Sequence, residues 1–414
     1  MLGGLARRAT FLSQLRRERG NIILVDTGDL LFSRTSAQIL NARQIGAIKA
    51  DLFIKAYNYM EYDAFTPGEL DLSFGVDNLL QLSKQANFPF LAANLVNIKS
   101  KEPVFKPYII KEIQGIKVGI IGLISDRFPL GSAEEKEKYR LTNPFKAAKK
   151  AVRKLKKQCR VIIALAHMEG EEQEMLARKV RGIHLIINGH LTHHQRDPIA
   201  AKHRTQILVA GARGEFIGQM DFFGEKKKLY SRYQLIPLKE SYTDHPKIQE
   251  LTGQYKTNLE NTLRSSLQAV PAEGSATARQ EIATPPLPLL VGEKVCFSCH
   301  QQEHEQWLTT AHARAYQTLV EKNKTSDPYC LACHTTGFGS IRDPSSSLEN
   351  VQCEACHGAG EGHPEPWKSL KDVSETQCRV CHNIANSPNF NYFIDVQKVR
   401  HAKLPNGRES IRKE

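Results

Sequence analysis

The sequence lacks any long uninterrupted apolar segment, and it has little cysteine outside a single pattern. A helix that spans a bilayer needs about 20 consecutive apolar residues, so we predict no transmembrane segment in these 414 residues. Of the nine cysteines, only Cys159 lies outside the repeated pattern described below. Since a disulfide framework would need cysteines placed for pairing along the chain, we predict none.

Aromatic residues are also few, at 7%, although the formal net charge is +13. The densest basic run, Lys146 to Lys157, contains no aromatic residue. A nucleic-acid surface usually combines basic with stacking aromatic side chains. We therefore predict no nucleic-acid partner and interpret the run as the exposed face of one helix. The excess of positive charge lies before residue 291, so a basic front and an acidic back could orient docking to a redox partner.

Four copies of one motif, Cys-x-x-Cys-His, stand out in residues 296–382. Two thiols one helical turn apart, followed by histidine, are the attachment signature of c-type haem. Zinc and redox sites use cysteine pairs too, but they need no histidine after each second cysteine. We predict four covalently bound haem c groups, attached through Cys296, Cys299, Cys330, Cys333, Cys353, Cys356, Cys378 and Cys381. The proximal iron ligands would be His300, His334, His357 and His382.

The haem prediction has a consequence for localisation, because c-type haem is attached outside the cytoplasm. We predict a periplasmic or otherwise extracytoplasmic protein. The first residues, Met1 to Arg8, contain no apolar segment of the kind that a signal peptide has. We therefore expect an export signal upstream of Met1.

The first 240 residues show apolar strands alternating with helical patterns, which predicts an α/β layered sheet. Asn143 and Pro144 open an amphipathic helix. Buried strands end in Asp26-Thr27-Gly28-Asp29, in His167 and in Gly189-His190. The carboxyl ends of such strands are where α/β proteins bind ligands.

These motifs, together with Phe88 to Asn94, resemble the metallophosphoesterase domain of the 5′-nucleotidase family. The resemblance implies one or two divalent metal ions, Mn, Zn or Fe, held by Asp, Asn and His at strand ends. Asp29 would be the bridging carboxylate, with Glu69, Asn94, His167 and His190 as further candidate ligands. Where the family has Gly-Asn-His-Glu, this sequence reads Gly68-Glu69-Leu70-Asp71, so Glu69 replaces a ligand amide and Leu70 the catalytic histidine.

The departures leave three interpretations of this half open: a non-catalytic scaffold or docking domain, a phosphoesterase of altered specificity, or another role for the same fold. The catalytic residues are not assigned. Loss of metal ligands would remove the charge that lowers the pKa of metal-bound water.

Residues 293 to about 402 resemble the tetrahaem cytochrome c554 family. The resemblance rests on the four motifs, on Trp307 and His312, and on the run from Val351 to His363. It implies closely stacked haems, with distal ligands at His312, His363 and His401. One iron would keep an open position, and the candidate for it is the iron of His334. His304 lies on the same helical face as His300, so it could not reach the far side of that haem.

Together these patterns predict an α/β layered metallophosphoesterase-like sandwich plus a mostly helical tetrahaem c-type cytochrome domain. The predicted segments are a sandwich at 1–240, a connecting helix at 241–270, a Pro-rich linker at 271–292, a cytochrome at 293–405 and a tail at 406–414. The predicted function is electron transfer between redox partners, such as other cytochromes or a quinol or nitrogen-cycle oxidoreductase. The alternatives are metal-dependent phosphoester hydrolysis with accessory haems, and reduction of a small nitrogen species at an open iron.

Overall fold

The computed structural model describes residues 3–20, 22–32, 42–191, 195–224, 229–268, 290–325, 327–338, 348–360, 373–383, 386–387 and 389–401. The chain divides into two compact units, with the boundary between Tyr255 and Lys256. Most of the predicted linker 271–292 and the whole tail 406–414 lie outside the described residues. In the described part of the chain, no helix is both long and apolar enough to cross a bilayer.

The first unit is an α/β structure in which helices and strands are interspersed along the chain. Its helices are α1 (Leu5–Arg19), α2 (Ala42–Tyr59), α3 (Val76–Ser83), α4 (Ala133–Lys138), α5 (Pro144–Leu155), α6 (Gly170–Lys179) and α7 (Pro246–Gln268), the last of which crosses the boundary. Its strands are β1 (Val25–Asp26), β2 (Ala64–Phe65), β3 (Leu95–Asn97), β4 (Tyr108–Ile113), β5 (Ile116–Ile124), β6 (Tyr139–Leu141), β7 (Val161–His167), β8 (Leu185–Asn188), β9 (Ile199–Ala200), β10 (Gln206–Leu208), β11 (Phe216–Phe223) and β12 (Tyr230–Pro237).

A six-stranded sheet in the order β4-β5-β7-β8-β10-β9 is the centre of this unit. Its four inner strands are parallel, and the edge strands β4 and β9 are antiparallel to their neighbours. All seven residues of β7 are buried, as expected for a strand that is covered on both faces. Helices α5 and α6 cover one face, and residues of β11 and β12 pack in the cluster on the other.

Helix α5 forms where the sequence predicts it. The Asn143 side chain accepts a hydrogen bond from the Lys146 amide, and Pro144 occupies the first turn, where its missing N–H costs nothing. Ala148, Val152 and Leu155 are buried on the sheet. The cations of this helix therefore point to solvent.

A second, smaller pair of strands positions the beginning of the chain. Strand β1 pairs in parallel with β2, and Asp26 lies at the end of β1. Tyr57 donates a hydrogen bond to Asp26 (2.8 Å), and the half-buried Arg8 donates to the hydroxyls of Tyr57 and Tyr62. Helices α1 and α2 are thereby fixed to the strand that leads to Asp29.

The described residues of the second unit form short helices and one small strand pair. The helices are α8 (Glu293–Phe297), α9 (Gln301–Leu308), α10 (Gln317–Glu321), α11 (Pro328–His334), α12 (Cys353–His357), α13 (Glu375–Cys381) and α14 (Tyr392–Asp395), and the strands are β13 (Thr335–Thr336) and β14 (Leu348–Glu349). Each Cys-x-x-Cys-His motif lies on, or immediately after, one of these helices.

Candidate functional site

Four metal-binding side chains meet at the carboxyl ends of strands in the first unit. Asp29 follows β1, Glu69 follows β2, His167 ends β7 and His190 follows β8. One ligand atom from each lies within 4.8 Å of the others. Two carboxylates and two imidazoles form a donor set that suits Mn, Fe or Zn, so the residues present fit a divalent cation.

Hydrogen bonds fix the orientation of both histidines. The buried His167 ring donates from Nδ1 to the Thr27 carbonyl (2.6 Å), which directs Nε2 toward Glu69 Oε2 (2.7 Å) and Asp29 Oδ2 (3.4 Å). His190 Nδ1 lies 3.0 Å from the same Glu69 oxygen. A hydrogen bond from the second ring nitrogen to a backbone carbonyl is the usual support of a metal-ligating histidine.

Two glycines permit this close approach of loops. A Cβ atom at Gly68 would collide with the Asp29 carboxylate and the His167 ring. At Gly189 it would collide with the Thr27 carbonyl. Both positions therefore need glycine for the loops to converge.

The buried carboxylate of Asp71 holds two of these loops together, and the sequence did not predict this role. Asp71 accepts hydrogen bonds from the amides of Asp29, Leu30 and Leu31 on one loop and of Gly68 on the other, at 2.7–3.0 Å. Burial and the neighbouring Asp29 charge raise the pKa of Asp71 to about 7, against the lowering effect of the amide donors. In the sequence, only the position of Asp71 two residues after Glu69 indicated that it lies near the cluster.

The cluster behaves as an ion pair when it holds no cation. Burial opposes ionisation of Glu69, but hydrogen bonds from His167 and His190 outweigh it and hold the pKa of Glu69 well below its usual value. Burial likewise opposes protonation of His167, but Asp29 and Glu69 raise its pKa to about 10. The site therefore stabilises one positive charge between its two carboxylates.

The structure gives Asn94 another role than the predicted one. Its amide Nδ2 donates to the carbonyls of Ile124 (2.7 Å) and Thr142 (2.8 Å), and its Oδ1 accepts from the Ile124 amide (3.0 Å). Asn94 is fully buried. Because backbone groups use both ends of the amide, Asn94 ties strands together and is not presented as a metal ligand.

Three further residues contact the cluster. The Phe128 ring lies against both imidazoles, with centroids 5.7 Å from His167 and 4.9 Å from His190. Glu169 Oε1 lies 3.5 Å from His190 Nε2. The Leu70 amide donates to Asp29 Oδ1 (2.9 Å), so this residue contributes its backbone to the cluster.

In the second unit, histidines that are distant in the sequence approach in pairs. The His357 and His401 rings are nearly parallel, with centroids 6.1 Å apart, and His312 and His382 lie 5.9 Å apart. Metal–imidazole bonds are about 2 Å long, so two imidazoles on opposite sides of one metal ion have centroids roughly 6 Å apart. The centroid separations of both pairs match this value.

Hydrogen bonds also leave the ligating nitrogen available on His382 and His401 of these pairs and on the motif histidine His334. Nδ1 contacts the Ala315 carbonyl in His334 (2.7 Å), Ser387 Oγ in His382 (3.1 Å) and Gln306 Oε1 in His401 (2.8 Å). Such bonds direct Nε2 outward. Burial lowers the pKa of His312, with a further contribution from His382, which favours the neutral imidazole that metals bind.

Two other histidines of this unit, His304 and His363, do not belong to these pairs. His304 Nε2 donates to Glu293 Oε2 (2.6 Å), which agrees with its exclusion as a distal ligand. His363 lies outside the described residues.

Cysteines of different motifs are neighbours in the second unit. The thiols of Cys296 and Cys353 interact electrostatically, since Cys296 adds to the effect of burial in raising the pKa of Cys353. Those of Cys333 and Cys381 do so too, since Cys333 raises the pKa of Cys381. The first motif is thus beside the third, and the second is beside the fourth.

Comparison with known proteins assigns each half separately. The family described as cytochrome c554 and c-prime matches residues 295–358. The trifunctional nucleotide phosphoesterase protein YfkN of Bacillus subtilis is 28% identical over 302 residues, which cover 63% of this chain and 20% of that protein. Human 5′-nucleotidase is 26% identical over 297 residues, covering 63% and 48%. The chain spans only about a fifth to a half of these relatives.

Solved structures show the fold of the first half. The sulfate thiohydrolase SoxB of Thermus thermophilus matches with a TM-score of 0.54 and 18% identity, over 62% of this chain and 47% of that one. A 5′-nucleotidase precursor from Thermus thermophilus matches with a TM-score of 0.52 and 22% identity, over 64% and 54%. The N-terminal region therefore has the α/β fold of these structures, and residues 295–358 of the C-terminal region match the cytochrome c554 family.

Substitution of Glu69 and Asn94 should separate metal binding from stability. We expect Glu69→Gln to weaken Mn²⁺ binding more than tenfold, because it removes a charged donor. Asn94→Ala should leave that affinity within a few fold but lower the free energy of unfolding by about 1–3 kcal/mol, since it leaves buried backbone groups unpaired. Metal titration and urea unfolding followed by circular dichroism of the full chain measure the two effects, and the opposite pattern would contradict these roles.

Proposed function

We propose that this protein is an exported electron-transfer protein that carries four haem c groups in residues 293–405. The observation that carries the proposal is the pairing of His357 with His401 and of His312 with His382, on a segment with four Cys-x-x-Cys-His motifs. Haem supplies one-electron chemistry, and histidine ligation on both sides keeps its iron low-spin with little reorganisation between oxidation states.

The side chains of this unit would have separate tasks. The motif cysteines fasten each porphyrin, and the motif histidines ligate from one side. In the two observed pairs, His401 serves the third motif and His312 the fourth. His363 remains a proposed distal ligand for one of the other two. The adjacency of the first motif to the third, and of the second to the fourth, would bring the centres close enough for electron transfer.

Partners and location follow from the same chemistry. We propose that the protein exchanges electrons with other redox proteins, such as cytochromes or an oxidoreductase of quinol or of nitrogen compounds. The site of c-type haem attachment favours a periplasmic or extracytoplasmic location. Reduction of a small nitrogen species at an open iron remains the proposal for the centre that lacks a distal histidine.

A second candidate function, divalent-metal binding with phosphoester hydrolysis, is favoured by the cluster of Asp29, Glu69, His167 and His190 on a phosphoesterase fold. A bound divalent ion would supply Lewis-acid chemistry. Asp29 and Glu69 would neutralise its charge, and Thr27 and Asp71 would keep the donors oriented. Leu70 offers no titratable group at the position where the resemblance expects histidine. The site could therefore bind a metal ion without hydrolysing phosphoesters, and this role is proposed on equal terms with hydrolysis.

The number of haem groups can be counted by mass. Protein matured in a host that assembles c-type cytochromes should carry a mass excess of four haem groups. Cys378→Ser/Cys381→Ser should carry three, because its fourth motif has no thiol. The control Cys159→Ser should keep four, since Cys159 is the cysteine outside the motifs. If the double variant carried all four haem groups, or none, independent attachment at each motif would be contradicted.

The histidine pairing predicts a spectroscopic change. His401→Ala should open one axial position, so the reduced protein should bind one additional carbon monoxide and show more high-spin iron. His304→Ala removes a nearby histidine that is paired with Glu293, and its spectrum should match that of the unaltered protein. Equal effects of the two substitutions would refute the assignment of His401.

Hydrolysis in the first unit can be tested with nucleoside monophosphates and Mn²⁺. If the second candidate function holds, phosphate release should require the metal and fall at least a hundredfold in Asp29→Asn, which loses charge from a direct ligand position. The same assay on Lys99→Gln, an exposed position, should show unchanged release. Absence of phosphate release from a fully metal-loaded protein would exclude this function.

A further inference from the structure

Basic residues collect at the edge of the six-stranded sheet that lies opposite the metal cluster. Strands β5, β7, β8 and β10 are parallel, so their first residues share this edge, whereas His167 and His190 lie at the other. We define the basic edge as the cations at or just before these first residues: Lys117, Lys154, Lys156, Lys157, Arg160, Arg181, Lys202 and Arg204.

The basic edge is accessible to solvent and has few acidic neighbours. All of its members except the half-buried Arg160 are exposed. The sequence contains no acidic residue between Pro144 and Val161 or between Pro198 and Gly214. The exposed Glu112 pairs in register with Lys117 and offsets one of the charges. The edge therefore keeps a strong net positive charge.

Exposed apolar side chains accompany the cations. Phe223 and Tyr230, at the end of the β11–β12 hairpin, stack at 5.8 Å although each is about half exposed, at 53% and 52%. Arg160 donates to the Gly224 carbonyl (3.3 Å), which places this hairpin end at the basic edge. Ile199, 42% exposed, lies on the edge strand β9 opposite Ile207 of β10.

We propose that the basic edge docks the first unit onto an anionic lipid surface. Lysine and arginine are attracted by anionic headgroups, and aromatic rings favour the boundary between headgroups and acyl chains. Lysine outnumbers arginine five to three here, whereas protein–protein interfaces are enriched in arginine and depleted of lysine. The composition therefore favours a lipid surface over an acidic protein.

Docking in this manner leaves the metal cluster accessible. The cluster lies at the carboxyl ends of the same parallel strands whose amino ends form the basic edge. A surface that contacts the amino ends does not cover the carboxyl ends. Lipid attachment and ligand exchange at the cluster can therefore take place together.

The test is sedimentation of the full chain with lipid vesicles. We expect binding to phosphatidylcholine vesicles that contain about 30% phosphatidylglycerol, and no binding to phosphatidylcholine alone. Binding should weaken as the ionic strength rises from about 0.05 to 0.3 M, because salt screens exposed charges. Lys156→Gln/Lys157→Gln/Lys202→Gln should weaken it about a hundredfold, roughly fivefold per cation.

A matched variant controls for the loss of charge alone. Lys99→Gln/Lys106→Gln/Lys136→Gln removes three exposed lysines outside the basic edge and should bind like the unaltered chain. Phe223→Ser/Tyr230→Ser should weaken binding with little change in its salt dependence. Circular dichroism should show the same fold in each variant. Equal effects of the two lysine variants, equal binding to neutral vesicles, or binding to an acidic protein but not to anionic vesicles would each overturn the proposal.

Discussion

The metal cluster depends on the balance of charge around one buried carboxylate. Asp71 assembles the loops by accepting four amide hydrogens, but it places its own charge beside Asp29. With Glu69 nearby, three carboxylates would repel one another in a region of low dielectric unless a positive charge lies among them. The proton of His167 supplies that charge in the metal-free arrangement, and a divalent cation would supply it in the loaded one. The fold of these loops is therefore one that a cation stabilises.

The identity of residues 69 and 70 shapes what such a cation can do. Glu69 contacts both histidines, where the resemblance to 5′-nucleotidases expects a neutral amide. An additional negative ligand lowers the net charge of the centre, and with it the tendency to deprotonate bound water. The negative charge of Glu69 also strengthens the electrostatic attraction between the site and the cation. A metal ion at this site would therefore be held more strongly, and would acidify bound water less, than one with a neutral amide at position 69.

Large apolar side chains are distributed differently in the second unit. Among the described residues, it exposes Val295, Phe297, Leu308, Val320, Val380, Phe393 and Ile394. Several of these flank the cysteine motifs, and Val295, Phe297 and Val380 lie within or next to them. Exposed apolar surface of this extent usually marks a binding site, and the haem groups proposed for this unit would cover it. Folding of this unit would then be coupled to haem attachment, as in small metal-dependent domains.

Local features of the chain were predictable from the sequence because they depend on neighbours along it. The cap and apolar face of α5, the buried strands β5 and β7 and the four cysteine motifs each arise within about a dozen residues. The approximate position of Asp29, His167 and His190 also followed, since each stands at the end of an apolar strand, whereas Glu69 was indicated only by the resemblance to the 5′-nucleotidase family. The tertiary structure alone decided the rest. It surrounds the Asn94 amide with backbone groups, gives Asp71 amide donors from two loops, and brings His401 beside His357 rather than beside another motif. It also brings the cations that precede four strands to one edge of the sheet. Each of these features depends on contacts between residues far apart in the chain.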